Sequence, residues 1–187
     1  SGVYDGIFGV EAVKYTAKII DSKVTSVYDA VASYGDQGSV IDVYNSRLEA
    51  TGGISTKNTR AVAVALGSTG TGTAPLIRVY NSVLKVSRTS ATADAICAYA
   101  GHFSSAYIGY IELYNTDCVA VGSTSYIAAG FAARVSGSTL KAYNTSIVTS
   151  GGTNNYDLYT STSGAITIKN SAYDRTKTSG TGITIGN

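Results

Sequence analysis

Apolar and polar residues alternate in a short segment that returns several times along the chain. In the copy IDVYNSRLEA the apolar inward positions are Ile41, Val43, Leu48 and Ala50. Alternation with a period of two is typical of a half-buried β-strand, whereas an amphipathic helix repeats every three to four residues. The segment therefore predicts two short strands joined by a corner at Asn45.

The corner residue is the most regular feature of the repeat. Further copies begin at Ala17, Ile77, Ile111, Leu140 and, in eroded form, Ile166. Each has Asn or Asp followed by Ser or Thr, and the pivots are spaced by 24, 36, 34, 29 and 26 residues: Asp21, Asn45, Asn81, Asn115, Asn144 and Asn170. Such periods indicate stacked units, and Asn tolerates the left-handed backbone of a tight corner. We expect the Asn side chains to form a buried ladder, bonded to one another or to backbone.

A second unit recurs between the copies and predicts the third strand of each coil. Its members are YDGIFGV, YDAVASY, TRAVAVA, ADAICAY, SYIAAGF, YDLYTST and TGITIGN, which start at Tyr4, Tyr28, Thr59, Ala93, Ser125, Tyr156 and Thr181. Stretches rich in Gly, Ser and Thr, such as 51–58 and 67–74, are typical of surface turns. Because no window has the spacing of an amphipathic helix, we expect helix to be minor or absent.

The unit of strand, Asn corner and strand, repeated at 24 to 36 residues, resembles the right-handed parallel β-helix of the pectate-lyase-like superfamily. The resemblance covers nearly the whole chain and implies an all-β fold with about six coils of three short strands, in a single domain over residues 1–187. A segment of a longer solenoid is the open alternative. Enzymes, adhesins and viral fibres share this architecture, so the resemblance alone does not select a function.

Stacking of the copies brings outward-facing residues into columns. One column contains charges that alternate in sign from coil to coil: Lys18, Asp42, Arg78, Glu112 and Lys141. Because neighbouring coils lie side by side, this order pairs opposite charges and favours the correct stacking. We expect Asp42 beside Arg78 and Arg78 beside Glu112, with all of these side chains exposed.

The next outward position is aromatic in successive coils and supplies the candidate binding residues Tyr44, Tyr80, Tyr114 and Tyr143. Ile20 precedes them in the column, and Lys169 follows them. Stacking of the rings on one another is a sufficient structural explanation for such a file. The alternatives are that the strip binds sugar rings or is buried against another subunit.

Four aspartates and one arginine form a further column in the third-strand unit, with the members Asp5, Asp29, Arg60, Asp94 and Asp157. One interpretation is a turn-capping ladder in which Arg60 bridges Asp29 and Asp94. The resemblance implies another, because related polysaccharide lyases and hydrolases carry acidic clusters on this sheet for Ca²⁺ binding or acid–base catalysis. Alanines such as Ala30 and Ala61 surround the column and supply no second acid, so we assign no catalytic residue.

Composition and the remaining polar residues narrow the choice of partners. The 14 basic and 12 acidic residues form no basic patch, which argues against nucleic acid, and no apolar run approaches about 18 residues, which argues against membrane insertion.

Cys118 takes an inward position that is leucine or isoleucine in sister copies, so we expect a buried free thiol. Cys97 is too distant in sequence to form a metal-pair motif with it. We interpret His102 as an exposed loop residue and predict no metal site and no cofactor.

The abundance of Gly, Tyr, Ser and Thr, without Met or Trp, resembles extracellular β proteins. We therefore expect the protein to be secreted or to lie on a cell or virion surface. The expected function is a non-catalytic surface or fibre module, a rod that binds a glycan or a surface protein. Homo-oligomers and end-to-end stacking are further alternatives for its assembly. An enzyme of the polysaccharide lyase or glycoside hydrolase class is the alternative function, disfavoured by the missing acid pair.

Overall fold

The structure is a computed structural model that describes residues 8–11, 16–34, 38–52, 58–65, 72–88, 93–101, 108–161 and 163–186. Its strands, in chain order, are β1 (Phe8–Glu11), β2 (Thr16–Ile20), β3 (Lys23–Ser26), β4 (Asp29–Tyr34), β5 (Val40–Tyr44), β6 (Arg47–Gly52), β7 (Thr59–Ala65), β8 (Leu76–Tyr80), β9 (Val83–Arg88), β10 (Ala95–Ala100), β11 (Tyr110–Tyr114), β12 (Asp117–Val121), β13 (Ile127–Ala133), β14 (Thr139–Tyr143), β15 (Ser146–Ser150), β16 (Asn154–Thr160), β17 (Ala165–Lys169), β18 (Thr178–Ser179) and β19 (Ile183–Gly186). A 3-10 helix, Arg175–Lys177, lies between β17 and β18, and the described residues contain no α-helix.

The strands stack in three parallel sheets. The first sheet contains β2, β5, β8, β11, β14, β17 and β19, the second contains β3, β6, β9, β12 and β15, and the third contains β1, β4, β7, β10, β13, β16 and β18. The chain visits the third, first and second sheets in turn, and each strand pairs with its equivalent in the next coil. This is a single parallel β-helix of about six coils with three strands each, which confirms the predicted fold class.

The register of the first sheet confirms the alignment of the repeats. Strand β5 pairs with β8 residue for residue, so that Ile41 lies beside Ile77 and Tyr44 beside Tyr80. In β5, β8, β11, β14 and β17 the second residue of the strand points inward and is a fully buried aliphatic residue: Ile41, Ile77, Ile111, Leu140 and Ile166. Burial of such apolar surface is the dominant favourable contribution to folding. Because a slip by a single residue would turn this surface outward, the core also fixes the register.

Each turn from the first sheet to the second is a corner with left-handed backbone. The corner residues have φ between 47° and 52°: Asp21, Asn45, Asn81, Asn115, Asn144 and Asn170. The amides form a ladder, in which Asn115 Nδ2 donates to Asn81 Oδ1 at 3.0 Å and Asn144 Nδ2 to Asn115 Oδ1 at 3.1 Å. The prediction that these side chains are buried is wrong. The corner runs around the outside of the coil, so the amides are exposed to solvent.

The buried polar ladder is formed instead by the hydroxyl residue that follows each corner. Ser46 and Ser82 are each 4% exposed, and Ser46 N donates to Ser82 Oγ at 3.0 Å across the coils. The hydroxyl donates in turn to the carbonyl two residues earlier, as Ser82 Oγ does to Tyr80 O at 2.7 Å. Thr116 makes the same contact with Tyr114 O. The repeated pair therefore has two tasks: Asn adopts the corner conformation, and Ser or Thr satisfies buried backbone groups.

The two cysteines form a disulfide, which corrects the prediction of a free thiol at Cys118. Cys97 on β10 and Cys118 on β12 are joined across the interior of one coil, with their Cα atoms 6.1 Å apart. Both are buried, and the described part of the chain contains no free cysteine. Cys118 points inward as its column predicts, but the residue that faces it across the coil is Cys97.

The last coil departs from the predicted strand order. The sequence predicts a third strand in the unit TGITIGN, but its strand β19 pairs with β17 in the first sheet, and the third sheet ends at the short strand β18. In this eroded copy Arg175 takes the position of the inward Ala50. The second-sheet strand is replaced by a single bridge between Ser146 and Ala172. Tyr173, at the position of Leu48, still packs against the core, whereas Arg175 is exposed. An open cleft of about 420 Å³ lies beside the missing strand.

Candidate functional site

The outer face of the first sheet presents three columns of side chains, one from each outward position of its five-residue strands. In β8, Ile77 and Val79 are buried, whereas the outward residues Leu76, Arg78 and Tyr80 are half-buried. The first column is mainly apolar near the centre of the sheet, where Leu76 lies beside Tyr110. The second column is charged, and the third is aromatic. These columns contain the predicted binding residues and the predicted charge ladder.

The aromatic column contains the tyrosine strip, defined as Tyr44, Tyr80, Tyr114 and Tyr143. The ring centroids of successive tyrosines are 4.9, 5.0 and 5.2 Å apart, and their planes differ by 6°, 6° and 9°. Nearly parallel rings at these centroid distances are stacked, and the offset form of stacking is one that aromatic pairs prefer. The structure therefore brings all of the sequence-predicted binding residues together in one continuous stack.

The stack decides which parts of the rings can meet a ligand. Tyr80 and Tyr114 each have a tyrosine against both faces, which leaves mainly their ring edges and hydroxyl groups available. At the ends of the stack, Tyr44 adjoins Ile20 and Tyr143 adjoins Lys169 in the sheet register, so each end ring has a tyrosine against only one face. Desolvation raises the pKa of Tyr80 and Tyr114, so both hydroxyls are protonated and able to donate at neutral pH. The strip is thus a row of hydroxyls and edges with few open ring faces.

The charged column lies beside the tyrosine strip and has the predicted order. Asp42 adjoins Arg78, and Arg78 adjoins Glu112 in the sheet register. Arg78 holds Asp42 through two bonds, Nε–Oδ1 at 2.6 Å and Nη2–Oδ2 at 3.0 Å, and this hydrogen bonding raises the pKa of the guanidinium. Lys141 Nζ is 3.4 Å from Glu112 Oε1, and Tyr114 OH donates to Glu112 Oε2 at 3.3 Å.

The charged column differs from the expectation in two respects. Asp42 is only 5% exposed, because the guanidinium of Arg78 covers it, so the expectation that the whole column is exposed is wrong. Within the described chain, Arg78 makes its ion pair with Asp42 and none with the neighbouring Glu112. The alternating charges thus form two ion pairs, Asp42–Arg78 and Glu112–Lys141, and leave an unpaired junction between Arg78 and Glu112. Among the described residues, Lys18 likewise makes no ion pair with the adjoining Asp42.

The acidic residues of the third sheet do not form the single predicted row. That row comprises Asp5, which lies outside the described residues, and Asp29, Arg60, Asp94 and Asp157. Asp29 does lie beside Arg60, but the next residue in the row is Ile96 and not Asp94. Asp157 is also out of the row, which passes through its neighbour Tyr156. The predicted column of equivalent acids is therefore wrong beyond its first pair.

Asp29 and Asp94 are held by separate arginines, whereas Asp157 accepts hydrogen bonds from the Thr149 hydroxyl and the Asp174 amide. Arg60 binds Asp29 through Nε–Oδ1 at 2.7 Å and Nη2–Oδ2 at 2.8 Å, and it does not bridge to Asp94 as predicted. Asp94 is paired with Arg134 at 3.5 Å and accepts a hydrogen bond from the backbone of Ile127 at 3.1 Å. Burial opposes the charge on Arg60, but the adjoining Asp29 outweighs it and raises the pKa of the guanidinium. All three carboxylates are therefore engaged in structural contacts.

Sequence reasoning missed a cation–π network on the third sheet. The guanidinium carbon of Arg60 lies 5.8 Å from the ring centroid of Tyr34 and 5.3 Å from that of Tyr99, and that of Arg134 lies 5.5 Å from Tyr159. Such contacts are stronger when they are desolvated, and burial also raises the pKa of Tyr34 and Tyr99. The signal was present in the sequence, because Tyr34 and Tyr99 end the equivalent units YDAVASY and ADAICAY.

The part of the chain that the structure describes contains neither a candidate metal site nor a candidate membrane-spanning helix. No group of three or more His, Cys, Asp or Glu residues is placed there to hold a metal ion. No helix among these residues has the length and hydropathy to cross a membrane. His102 lies outside the described residues, so its predicted exposure stays a prediction.

Comparison with known proteins adds no family assignment. No protein-family model matches the chain, and neither a curated protein nor a solved structure matches it. The class of protein is therefore defined by fold and site together. It is a parallel β-helix with asparagine corners, an interior disulfide and a stacked tyrosine strip on its first sheet.

Proposed function

We propose that this chain is a non-catalytic module of an extracellular surface or fibre, of the adhesin or fibre type within the pectate-lyase-like β-helices. In this proposal the solenoid is a rigid rod, and the outer face of its first sheet binds another protein. The observation that carries the proposal is the tyrosine strip, a continuous stack bordered by the ion pairs Asp42–Arg78 and Glu112–Lys141.

A protein partner fits this face better than a sugar chain does. Sugar rings bind tyrosine chiefly through the flat ring face, and both faces of Tyr80 and Tyr114 are covered by neighbouring rings. The face offers instead ring edges, hydroxyl donors, a guanidinium and the apolar side chains of Leu76 and Tyr110. Tyr and Arg are the residue types that dominate the centres of protein interfaces. A glycan is therefore the alternative partner and not the leading one.

The acids of the third sheet favour a non-catalytic role over that of a polysaccharide lyase or hydrolase. Cleavage by paired carboxyl groups needs a proton donor and a second carboxylate on either side of the sugar bond. Asp29 is fully buried and bonded to both Arg60 and Tyr34, and Asp94 is held by Arg134. Neither residue offers a carboxyl group that is free to exchange a proton with a substrate.

The disulfide supports a location outside the reducing cytosol. Cys97 and Cys118 are joined within the core of one coil, and structural disulfides persist mainly in oxidising compartments. A secreted, cell-surface or virion-surface protein meets this condition. The disulfide therefore agrees with the extracellular module and carries no information about its partner.

The test of this function uses two double variants of the tyrosine strip. Tyr80→Ser with Tyr114→Ser removes the central rings, whereas Tyr80→Phe with Tyr114→Phe keeps the stack and removes only the hydroxyls. Circular dichroism and thermal unfolding first establish that both variants fold. Parent and variants are then assayed for binding to a glycan array and for cleavage of polyuronates and neutral polysaccharides.

The two assays separate the proposed function from its alternatives. We expect no cleavage by any of the proteins and no array signal that depends on the strip. Depolymerisation by the parent would overturn the non-catalytic role. A glycan signal that the serine variant loses would make the strip a sugar-binding surface, and the phenylalanine variant would then show whether the rings or the hydroxyls carry it.

A further inference from the structure

We infer that the partner is a second copy of this chain, docked face to face through the outer face of the first sheet. The two-fold axis runs parallel to the strands and passes between β8 and β11. This inference rests on the proposed function, because it names the partner of the same face. It follows from the order of the side chains on that face. When a second copy is placed opposite with its coils in the reverse order, the side chains of β5 to β14 meet side chains of complementary charge or shape.

The charged column is self-complementary under this symmetry. From β5 to β14 its members are Asp42, Arg78, Glu112 and Lys141, so the signs are minus, plus, minus and plus. The fifth member, Lys18 on β2, lies opposite the uncharged Thr167 of β17 about the same axis. Reversal of the coil order gives the opposite sign at every position from β5 to β14. With the axis between β8 and β11, Arg78 of one copy faces Glu112 of the second copy, and Asp42 faces Lys141. A two-fold interface is isologous, so each of these contacts occurs twice.

The same charges disfavour the other face-to-face arrangement. A two-fold axis parallel to the stack of coils would place each strand opposite its own equivalent. Asp42 would then face Asp42, Arg78 would face Arg78, and Glu112 would face Glu112. Like charges directly opposite one another are destabilising and act against the wrong pairing. The sign order thus selects one of the two orientations.

The aromatic and apolar columns also meet suitable partners about the strand-parallel axis. The facing pairs of the tyrosine strip are Tyr80–Tyr114 and Tyr44–Tyr143, so ring edges and hydroxyls meet along its whole length. In the apolar column, Leu76 faces Tyr110, a residue that is 37% exposed in the single chain. The centre of the interface therefore contains Leu, Arg and Tyr side chains. Tyr and Arg at the centre of an interface are typical binding hot spots.

Arg78, which lies next to the inferred axis, has a guanidinium nitrogen that can still donate hydrogen bonds to a second copy. Its Nε and Nη2 are bonded to Asp42, and in the described chain it makes no ion pair with its own Glu112. The Arg78 side chain is 35% exposed, and that of Glu112 is 24% exposed. The remaining amino group, Nη1, can therefore bind a carboxylate across the interface while the pair with Asp42 stays intact.

The size of the face predicts a weak dimer. The six full strands from β2 to β17 have five residues each. At about 4.8 Å between strands and about 3.3 Å per residue, they cover roughly 29 Å by 17 Å, or about 480 Å² on each copy. The total of about 1,000 Å² is at the lower limit for a specific interface. We therefore expect association in the micromolar range that weakens as salt is added.

The experiment measures the mass of the full chain by sedimentation equilibrium over a wide concentration range, at low and high salt. The parent should rise from 19.2 kDa towards twice that mass. Arg78→Glu and Glu112→Arg should each remain monomeric, because each places like charges opposite one another across the axis. Mixing the two variants restores opposite charges at both contacts, so the mixture should form a heterodimer.

Lys85→Glu is the matched control for these charge reversals. Lys85 is an exposed lysine on the outer face of the second sheet, so its variant should show the mass profile of the parent. Thermal unfolding establishes that each variant is folded. If either reversal prevents folding, Tyr110→Arg replaces it. Tyr110 lies beside the axis but belongs to neither ion pair of the charged column, and its replacement should abolish the dimer.

Three results would overturn the inference: a parent that stays at 19.2 kDa at every concentration, charge variants that associate like the parent, or a mixture that restores nothing. A monomeric parent without a strip-dependent glycan signal leaves the proposed function in place with a different protein as partner. A monomeric parent with such a signal removes both the inference and the choice of a protein partner.

Discussion

Removal of the Ser82 hydroxyl tests the buried ladder that lies inside the asparagine corners. Ser82 Oγ accepts from Ser46 N at 3.0 Å and donates to Tyr80 O at 2.7 Å, and both serines are 4% exposed. In Ser82→Ala the buried Ser46 amide loses its acceptor, whereas Tyr80 O keeps a bond from Asn45 N at 3.0 Å. One buried donor left unpaired costs about 1 to 3 kcal/mol. We expect the free energy of unfolding to fall by this amount.

Two control variants make the Ser82 result specific. Ser82→Thr keeps the hydroxyl, in the residue type that stands at Thr116 and Thr145, so we expect a change within about 0.5 kcal/mol. Ser87→Ala removes an outward hydroxyl from β9, the strand that follows Ser82, and should be equally mild. Denaturant unfolding gives the free energies, and hydrogen exchange at the Ser46 amide shows whether the loss is local. The reasoning is refuted if Ser82→Ala is no more costly than Ser87→Ala.

Three further predictions concern the corners, the disulfide and the buried tyrosines. Asn81→Ala puts alanine at a φ of 47° and should cost about 1 to 2 kcal/mol, whereas Asn81→Gly should cost less; equal urea midpoints would contradict this. Reduction of the Cys97–Cys118 disulfide, whose cysteines are 21 residues apart, should lower the free energy of unfolding by about 3 kcal/mol. Denaturant unfolding measures this loss, and a variant with serine at both positions should not respond to the reductant. Because the pKa of Tyr34 is raised by burial, the unfolded chain loses this proton first, so the contribution of Tyr34 to stability is level below about pH 10 and falls above it. Tyr34→Phe should make that alkaline fall shallower in thermal unfolding, at a cost of about 1 kcal/mol at neutral pH for the lost bond to Asp29; an unchanged slope would contradict the assignment.

The first sheet could be predicted residue by residue because its strands are half-buried. The alternation of apolar and polar residues in these strands fixes which residues point inward. The corner residue is a common reference position from which the copies can be aligned. The positions of Tyr44 and Asp42 relative to Asn45 then fix the tyrosine strip and the charged column. The same alternation could not predict whether the asparagine side chains are buried or exposed. A left-handed corner on the convex side of a coil carries its side chain outward, and the next residue carries the buried hydroxyl.

The third sheet could not be aligned from the sequence because its strands are buried on both faces. Strands β4, β10 and β13 have almost only buried positions. Such strands lack the alternation that fixes a register. The predicted alignment of these strands therefore depended on dipeptides that contain aspartate. This alignment placed Asp94 and Asp157 in the wrong row. The disulfide could not be predicted for a related reason. The repeat aligns residues of neighbouring coils, but it does not show which residues face each other across one coil, as Cys97 and Cys118 do.

The alternating charges of the first sheet need an explanation beyond the stacking of coils. The aliphatic core already fixes the register, because a slip by a single residue would expose it. In the described chain, ion pairs join Asp42 to Arg78 and Glu112 to Lys141, but none joins Arg78 to Glu112. That unpaired junction lies between β8 and β11, where the inferred two-fold axis passes. A second copy would supply a partner to both residues at once, which accounts for the sign order at a junction where stacking within the chain does not.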